Sequence, residues 1–129
     1  MFNYKYAPLA TLCAVLIVYM SSLPDHSLLS NGSLGEQIIS NLAHIPAYAL
    51  LAFLWLKTFD RKENRGTLSM VNVQILIGLV IFAVSDETHQ SFVPGRTASY
   101  MDVGLDFLGI FGGLSTFKIL RQPKLFQEK

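Results

Sequence analysis

The sequence predicts an all-α polytopic membrane protein: a four-transmembrane-helix bundle with both termini in the cytoplasm. Three observations carry that prediction. The 129 residues are 51% hydrophobic and only 15% charged, far from the balance of a soluble domain of this size. Four apolar segments fill most of the chain, each near the roughly 17 to 25 residues needed to cross hydrocarbon. Nine of the ten Lys and Arg residues fall on one side of the resulting topology, the asymmetry expected of short cytoplasmic loops.

The first span covers residues 8–23 and follows Lys5, which gives it the outline of a secretory signal. No small-x-small cleavage pattern closes it between Tyr19 and Pro24, and three more apolar segments follow, so it reads as a retained span. The lone Cys13 lies inside it and allows neither an intramolecular disulfide nor a cysteine-based zinc site. A stretch rich in Ser, Asn and Gly, residues 24–35, leads to the second span at 38–56. There Asn41, His44 and Tyr48 are spaced by three and four residues and share one helical face. Pro46 lies beside them; it removes one amide donor and frees the carbonyl of Leu42, so a kink is expected next to His44.

Residues 57–66 form a charged loop, and the third span follows at 68–84. The fourth span, 103–120, carries Asp102, Asp106, Gly109 and Gly113 at intervals of four, three and four residues, again one face. Gly109 and Gly113 make a small-xxx-small pattern that lets another helix approach closely, and Gly112 broadens it. Packing within the bundle is the expected use, with a homo-oligomer through Gly109 and Gly113 as the alternative. The four spans form a single domain over 1–129.

Orientation follows from Lys5, from Lys57, Arg61, Lys62 and Arg65, and from Lys118, Arg121, Lys124 and Lys129, which all fall on the side assigned to the cytoplasm. The loops around Asp25 and Arg96 are then external. A net charge of +1 gives no reason to expect nucleic acid as a partner; membrane lipids are the expected surroundings.

The densest polar segment is 85–102, which joins the outer ends of the third and fourth spans. Glu87 and Gln90 share a face if the third helix continues past Val84, and Pro94 with Gly95 turns the chain just before Arg96. A guanidinium is a planar fork suited to phosphate or carboxylate, so Arg96 can meet an anionic head group or clasp Glu87 and Asp102. At about 1.5 Å per residue, His44 lies roughly 10 Å below the outer end of its span and Asp106 about 5 Å below. Three spans therefore deliver His44, Tyr48, Glu87, Gln90, Asp102 and Asp106 to one outer level. Ionisable groups at that depth require partners or a wet cavity. His44, Glu87, His89, Asp102 and Asp106 match no known ligand box, so neither a metal nor another cofactor is expected. Glu87 and His44 are the candidates for acid and base work.

Four pieces resemble the VanZ-like membrane protein family: SSLPD (21–25), HIPAY (44–48), ETHQSFVPGR (87–96) and SYMDVGLDFLG (99–109). The resemblance spans nearly the whole chain. The family pattern commonly has Lys before the His and Asn after the last Asp, where this chain has Asn41 and Asp106. The resemblance implies a multi-pass protein of the bacterial inner membrane and marks Glu87, Gln90, Arg96 and Asp102. It also implies a cell-envelope role touching antibiotic resistance, because the founding member is associated with low-level teicoplanin resistance. It names no reaction. Three functions follow as expectations: binding of an anionic lipid or lipid-linked cell-wall intermediate through Arg96 and the outer pocket; a small membrane enzyme acting on a lipid-linked substrate with Glu87 or His44 as acid or base; or a structural, partner-binding bundle.

Overall fold

A computed structural model describes residues 3–24, 34–60, 68–94, 96 and 99–121, with the backbone alone for 34–41. Asp25, Arg61, Lys62, Arg65, Gly95, Lys124, Lys129 and the side chain of Asn41 lie outside the described residues. Helices account for nearly everything described: a short 3-10 turn, Tyr4–Tyr6, then α1 (Ala7–Ser22), α2 (Leu34–Thr58), α3 (Met70–Gln90) and α4 (Tyr100–Arg121). No strand occurs among the described residues.

Local chemistry sets the helix ends. Pro8 occupies the first turn of α1, where a missing amide proton costs nothing. Leu23 ends that helix in an extended conformation with φ −73° and ψ 131°, as expected of a residue before proline. Ser69 caps α3, its hydroxyl oxygen accepting from the Asn72 amide at 3.3 Å. At the start of α4 the Ser99 hydroxyl accepts from the Met101 amide at 3.1 Å. The α2 helix runs through Pro46 unbroken.

One boundary differs from the sequence expectation. Helix α3 continues six residues past Val84 to Gln90, because Ala83, Asp86, Glu87 and Gln90 form one buried face: these polar side chains turn inward instead of ending the helix. Tyr4–Ser22, Met70–Gln90 and Tyr100–Arg121 are each long and apolar enough to cross a membrane, and the part of α2 described with its side chains, Leu42–Thr58, is apolar as well. The preceding turns carry Glu36, Gln37, Ser40 and Asn41. At 25 residues the whole helix is still about 37 Å long at the α-helical rise.

Successive helices alternate in direction. The Asn3 amide donates to the Thr58 carbonyl at 2.9 Å, and Arg121 pairs with Asp60 at 3.1 Å. The start of α1 and the ends of α2 and α4 thus share one end of the bundle. Apolar side chains point outward along the helices: Leu12 and Val15 on α1, Ile77 and Ile81 on α3, Leu108 and Phe111 on α4 are all exposed. Such a surface suits lipid, and the chain is a multi-pass membrane protein.

The tightest pair is α2 with α4. A Cβ added to Gly109 would stand 2.5 Å from the Ile45 carbonyl oxygen and 2.9 Å from the Tyr48 Cβ. At Gly113 it would collide with the Ala49 carbonyl oxygen and lie 2.9 Å from the Ala52 Cβ. The glycine face is therefore taken up inside the chain by α2. Gly112 does not broaden it, since nothing lies within 4 Å of a Cβ there. The hydrophobic core gathers Tyr48, Leu51, Ala52, Leu79, Ala83 and Ile110 in one buried cluster.

Candidate functional site

At the end of the bundle opposite Asp60 and Arg121, all four helices contribute polar side chains. His44 projects from α2 and its Nδ1 lies 2.8 Å from Asp106 Oδ1 on α4. Asp106 is 1% exposed and His44 16%, so a deeply buried carboxylate orients an imidazole that remains reachable. A carboxylate at Nδ1 favours the neutral tautomer with its proton on Nδ1 and the lone pair on Nε2. The imidazole stacks on the Tyr48 ring one turn below, the planes within 5° of parallel.

Glu87 and Asp102 complete this layer. One Glu87 oxygen, Oε1, accepts from the Ser99 amide, which ties the end of α3 to the residue that opens α4. Glu87, Asp102 and Asp106 are near enough to His44 for their charges to act on it. Glu87 Oε2, Asp102 Oδ1 and Asp106 Oδ2 are each buried without a hydrogen-bond partner among the described residues. Leaving a buried acceptor unmatched costs about 1 to 3 kcal/mol, more when it is charged. The bundle tolerates three such atoms within one cluster.

A second network lies beside the first, centred on Asp86. Its carboxylate accepts from Ser21 Oγ at 2.6 Å, Tyr48 Oη at 3.4 Å and Gln90 Nε2 at 3.2 Å. Gln90 Oε1 accepts in turn from Arg96 Nη1 at 3.2 Å. The other side of the guanidinium donates to main-chain carbonyls, Nε to Leu23 at 3.1 Å and Nη2 to Met20 at 2.9 Å. A cation at the carbonyl end of α1 also complements the helix dipole. Arg96 therefore clasps α1, not Glu87 or Asp102 as a carboxylate clasp would require.

The sequence located most of this. His44, Glu87, Asp102 and Asp106 meet in one layer, Tyr48 bridges it to the next, and Gln90 and Arg96 belong to the second. Asp86 and Ser21 were missed. Asp86 had a signal, falling between Ala83 and Gln90 on the face that also holds Glu87; Ser21 had only its place in the SSLPD piece, with its partner 65 residues away. His89, an early metal candidate, sits apart on the exposed side, its Nε2 3.0 Å from Ser22 Oγ.

The VanZ/LLP1 family profile matches residues 5–121, which takes in all four helices and both polar layers. The chain belongs to the VanZ/LLP1 family. No curated protein and no solved structure matches it. Within this VanZ-like chain the four stretches that carried the resemblance converge: Ser21, His44, Glu87, Arg96 and Asp102 each belong to one of them and all lie in the two networks.

The clasp predicts a stability effect. Arg96→Ala removes three hydrogen bonds and leaves the Met20 and Leu23 carbonyls to find other donors, which should cost about 2 kcal/mol or more in detergent unfolding. Arg96→Lys should restore little, because a single ammonium cannot span acceptors on both edges of a guanidinium fork. Lysine at full stability would show that charge alone holds α1.

Proposed function

We propose that the protein is a small membrane enzyme of the bacterial cell envelope that acts on a lipid-linked substrate. The observation that supports this best is the His44–Asp106 pair at 2.8 Å beside a buried Glu87 with one unmatched oxygen. Asp106 holds the imidazole with Nδ1 protonated, so Nε2 can take a proton from an attacking water or hydroxyl. The imidazolium so formed can then return that proton to the leaving oxygen. Buried, differently partnered ionisable groups in one cluster are typical of acid and base sites.

Arg96 favours this reading over simple capture of an anionic lipid. Three of its N–H groups are spent on Gln90, Met20 and Leu23, which leaves about two of a guanidinium's five for a phosphate. Arg96 then serves as a rim contact for a head-group phosphate, secondary to the acidic layer. Lys57, Lys118 and Arg121 lie in the last turns of α2 and α4, at the opposite end, which supports a site facing the outer leaflet of the inner membrane. There it would change the lipids or lipid-linked cell-wall intermediates that glycopeptides of the teicoplanin type encounter.

The test is a lipid comparison of cells carrying the wild type, His44→Gln, or no protein. Loss or gain of a lipid species with the wild type alone is the expected result. Identical profiles in all three would remove the enzymatic reading.

A further inference from the structure

Charge in the outer layers does not balance. Four carboxylates, Asp86, Glu87, Asp102 and Asp106, are each at least nine-tenths buried. Asp86 is satisfied by three neutral donors, from Ser21, Tyr48 and Gln90. Arg96 turns toward Gln90 and the end of α1, and His44 serves Asp106 through one oxygen. What remains is Glu87 Oε2, Asp102 Oδ1 and Asp106 Oδ2, three acceptors from three side chains, each without a donor among the described residues.

A metal ion is a poor match to this set. Metal–oxygen bonds of about 2.0 to 2.6 Å require closely converging ligands, and no group of three or more His, Cys, Asp or Glu among the described residues is arranged that way. A primary ammonium differs in two respects. It brings three N–H donors for three acceptors, and its N···O distances near 2.8 Å are longer than metal–oxygen bonds and do not demand that close convergence.

We propose that the outer acidic layer binds a primary ammonium group carried on a lipid head group, through Glu87, Asp102 and Asp106. This rests on the lipid-linked reading given above and specifies its substrate class: an amino-bearing lipid of the phosphatidylethanolamine type, its phosphate toward Arg96 and its ammonium among the carboxylates. His44 then stands beside the head group, where the proton transfer would occur.

The probe is a set of short-chain lipids titrated into the purified full-length protein in detergent, with retention read by native mass spectrometry. The set comprises phosphatidylethanolamine, its N-acetylated form, phosphatidylcholine and phosphatidylglycerol, with free ethanolamine as a separate arm. We expect phosphatidylethanolamine to be retained at least tenfold better than the other three lipids. The near-isosteric Glu87→Gln and Asp102→Asn variants should each lower that preference about tenfold while remaining folded, as judged by circular dichroism. Competition by free ethanolamine would mean that the ammonium suffices alone, and its absence that the lipid portion is also required; both agree with the proposal. Equal retention of the native and N-acetylated lipids would overturn it, as would a preference that survives in the Glu87→Gln/Asp102→Asn double variant. The enzymatic reading fails separately: ammonium selectivity with no change in cellular lipids means binding without turnover, and changed lipids without selectivity refute only the ammonium site.

Discussion

Gly113→Ala is expected to destabilise the protein by about 2 to 3 kcal/mol, the upper range for forcing a methyl group into a packed interface. The new Cβ would run into the Ala49 carbonyl oxygen and the Ala52 methyl group. Neither can rotate away, since one is main chain and the other has no further torsion, so α2 and α4 must separate. Gly112→Ala is the control. It lies one residue away with nothing within 4 Å of its Cβ, and a change within about 0.5 kcal/mol is expected there. Reversible unfolding in mixed detergent micelles would measure both. Equal effects at the two positions would mean that close approach of α2 to α4 is not what the glycine supplies. Gly109→Ala should resemble Gly113→Ala and, because it abuts Ile45 and Tyr48, should also shift the His44 ring.

Asp106→Asn is expected to suppress the lipid turnover proposed above and leave the fold intact. The carboxylate fixes which ring nitrogen of His44 bears the proton, and an amide can present its own N–H to Nδ1 and force the opposite tautomer. Nε2 then carries hydrogen and cannot act as a base. In dyads of this kind the loss is about 10²- to 10⁴-fold in rate. The same substitution removes a buried charge with one unmatched oxygen, so stability should hold or rise. The measurement is the lipid difference between cells with and without the protein. It should vanish in Asp106→Asn while the purified variant unfolds at an unchanged midpoint. A lipid difference that persists at wild-type size would exclude His44 as a base oriented by Asp106.

The helical bundle was legible because lipid imposes a simple rule: apolar runs of sufficient length must be helices. Its polar layer was legible from spacing, with Asp102, Asp106, Gly109 and Gly113 on one face and His44 with Tyr48 on another. Residues that turn inward at the end of a span were harder to read. Asp86, Glu87 and Gln90 resemble loop chemistry in the sequence, yet they extend α3 because three other helices enclose them. The Arg96 contact was hidden for a different reason. Charged partners are the natural guess for an arginine beside several acids, but two of the three acceptors it uses are main-chain carbonyls, which any residue supplies and no pattern marks, and the third is the neutral Gln90. Pro46, where a kink was expected, lies inside α2, and the helix continues past it.

The Arg96 clasp also bears on biogenesis. It joins residues 73 and 76 positions apart in the chain, and the neighbouring Ser21–Asp86 bond spans 65. Synthesis adds roughly 5 to 20 residues per second, so on the order of ten seconds separates translation of α1 from that of its partners. During that interval the first span sits in the translocon or in lipid with its terminal carbonyls uncapped. When α3 arrives, Asp86 and Glu87 enter the bilayer before Ser99 and α4 exist to receive them. The acidic layer is thus completed only when Asp102 and Asp106 arrive with α4, and a nascent chain halted between α3 and α4 would leave the carboxylates of α3 without those neighbours.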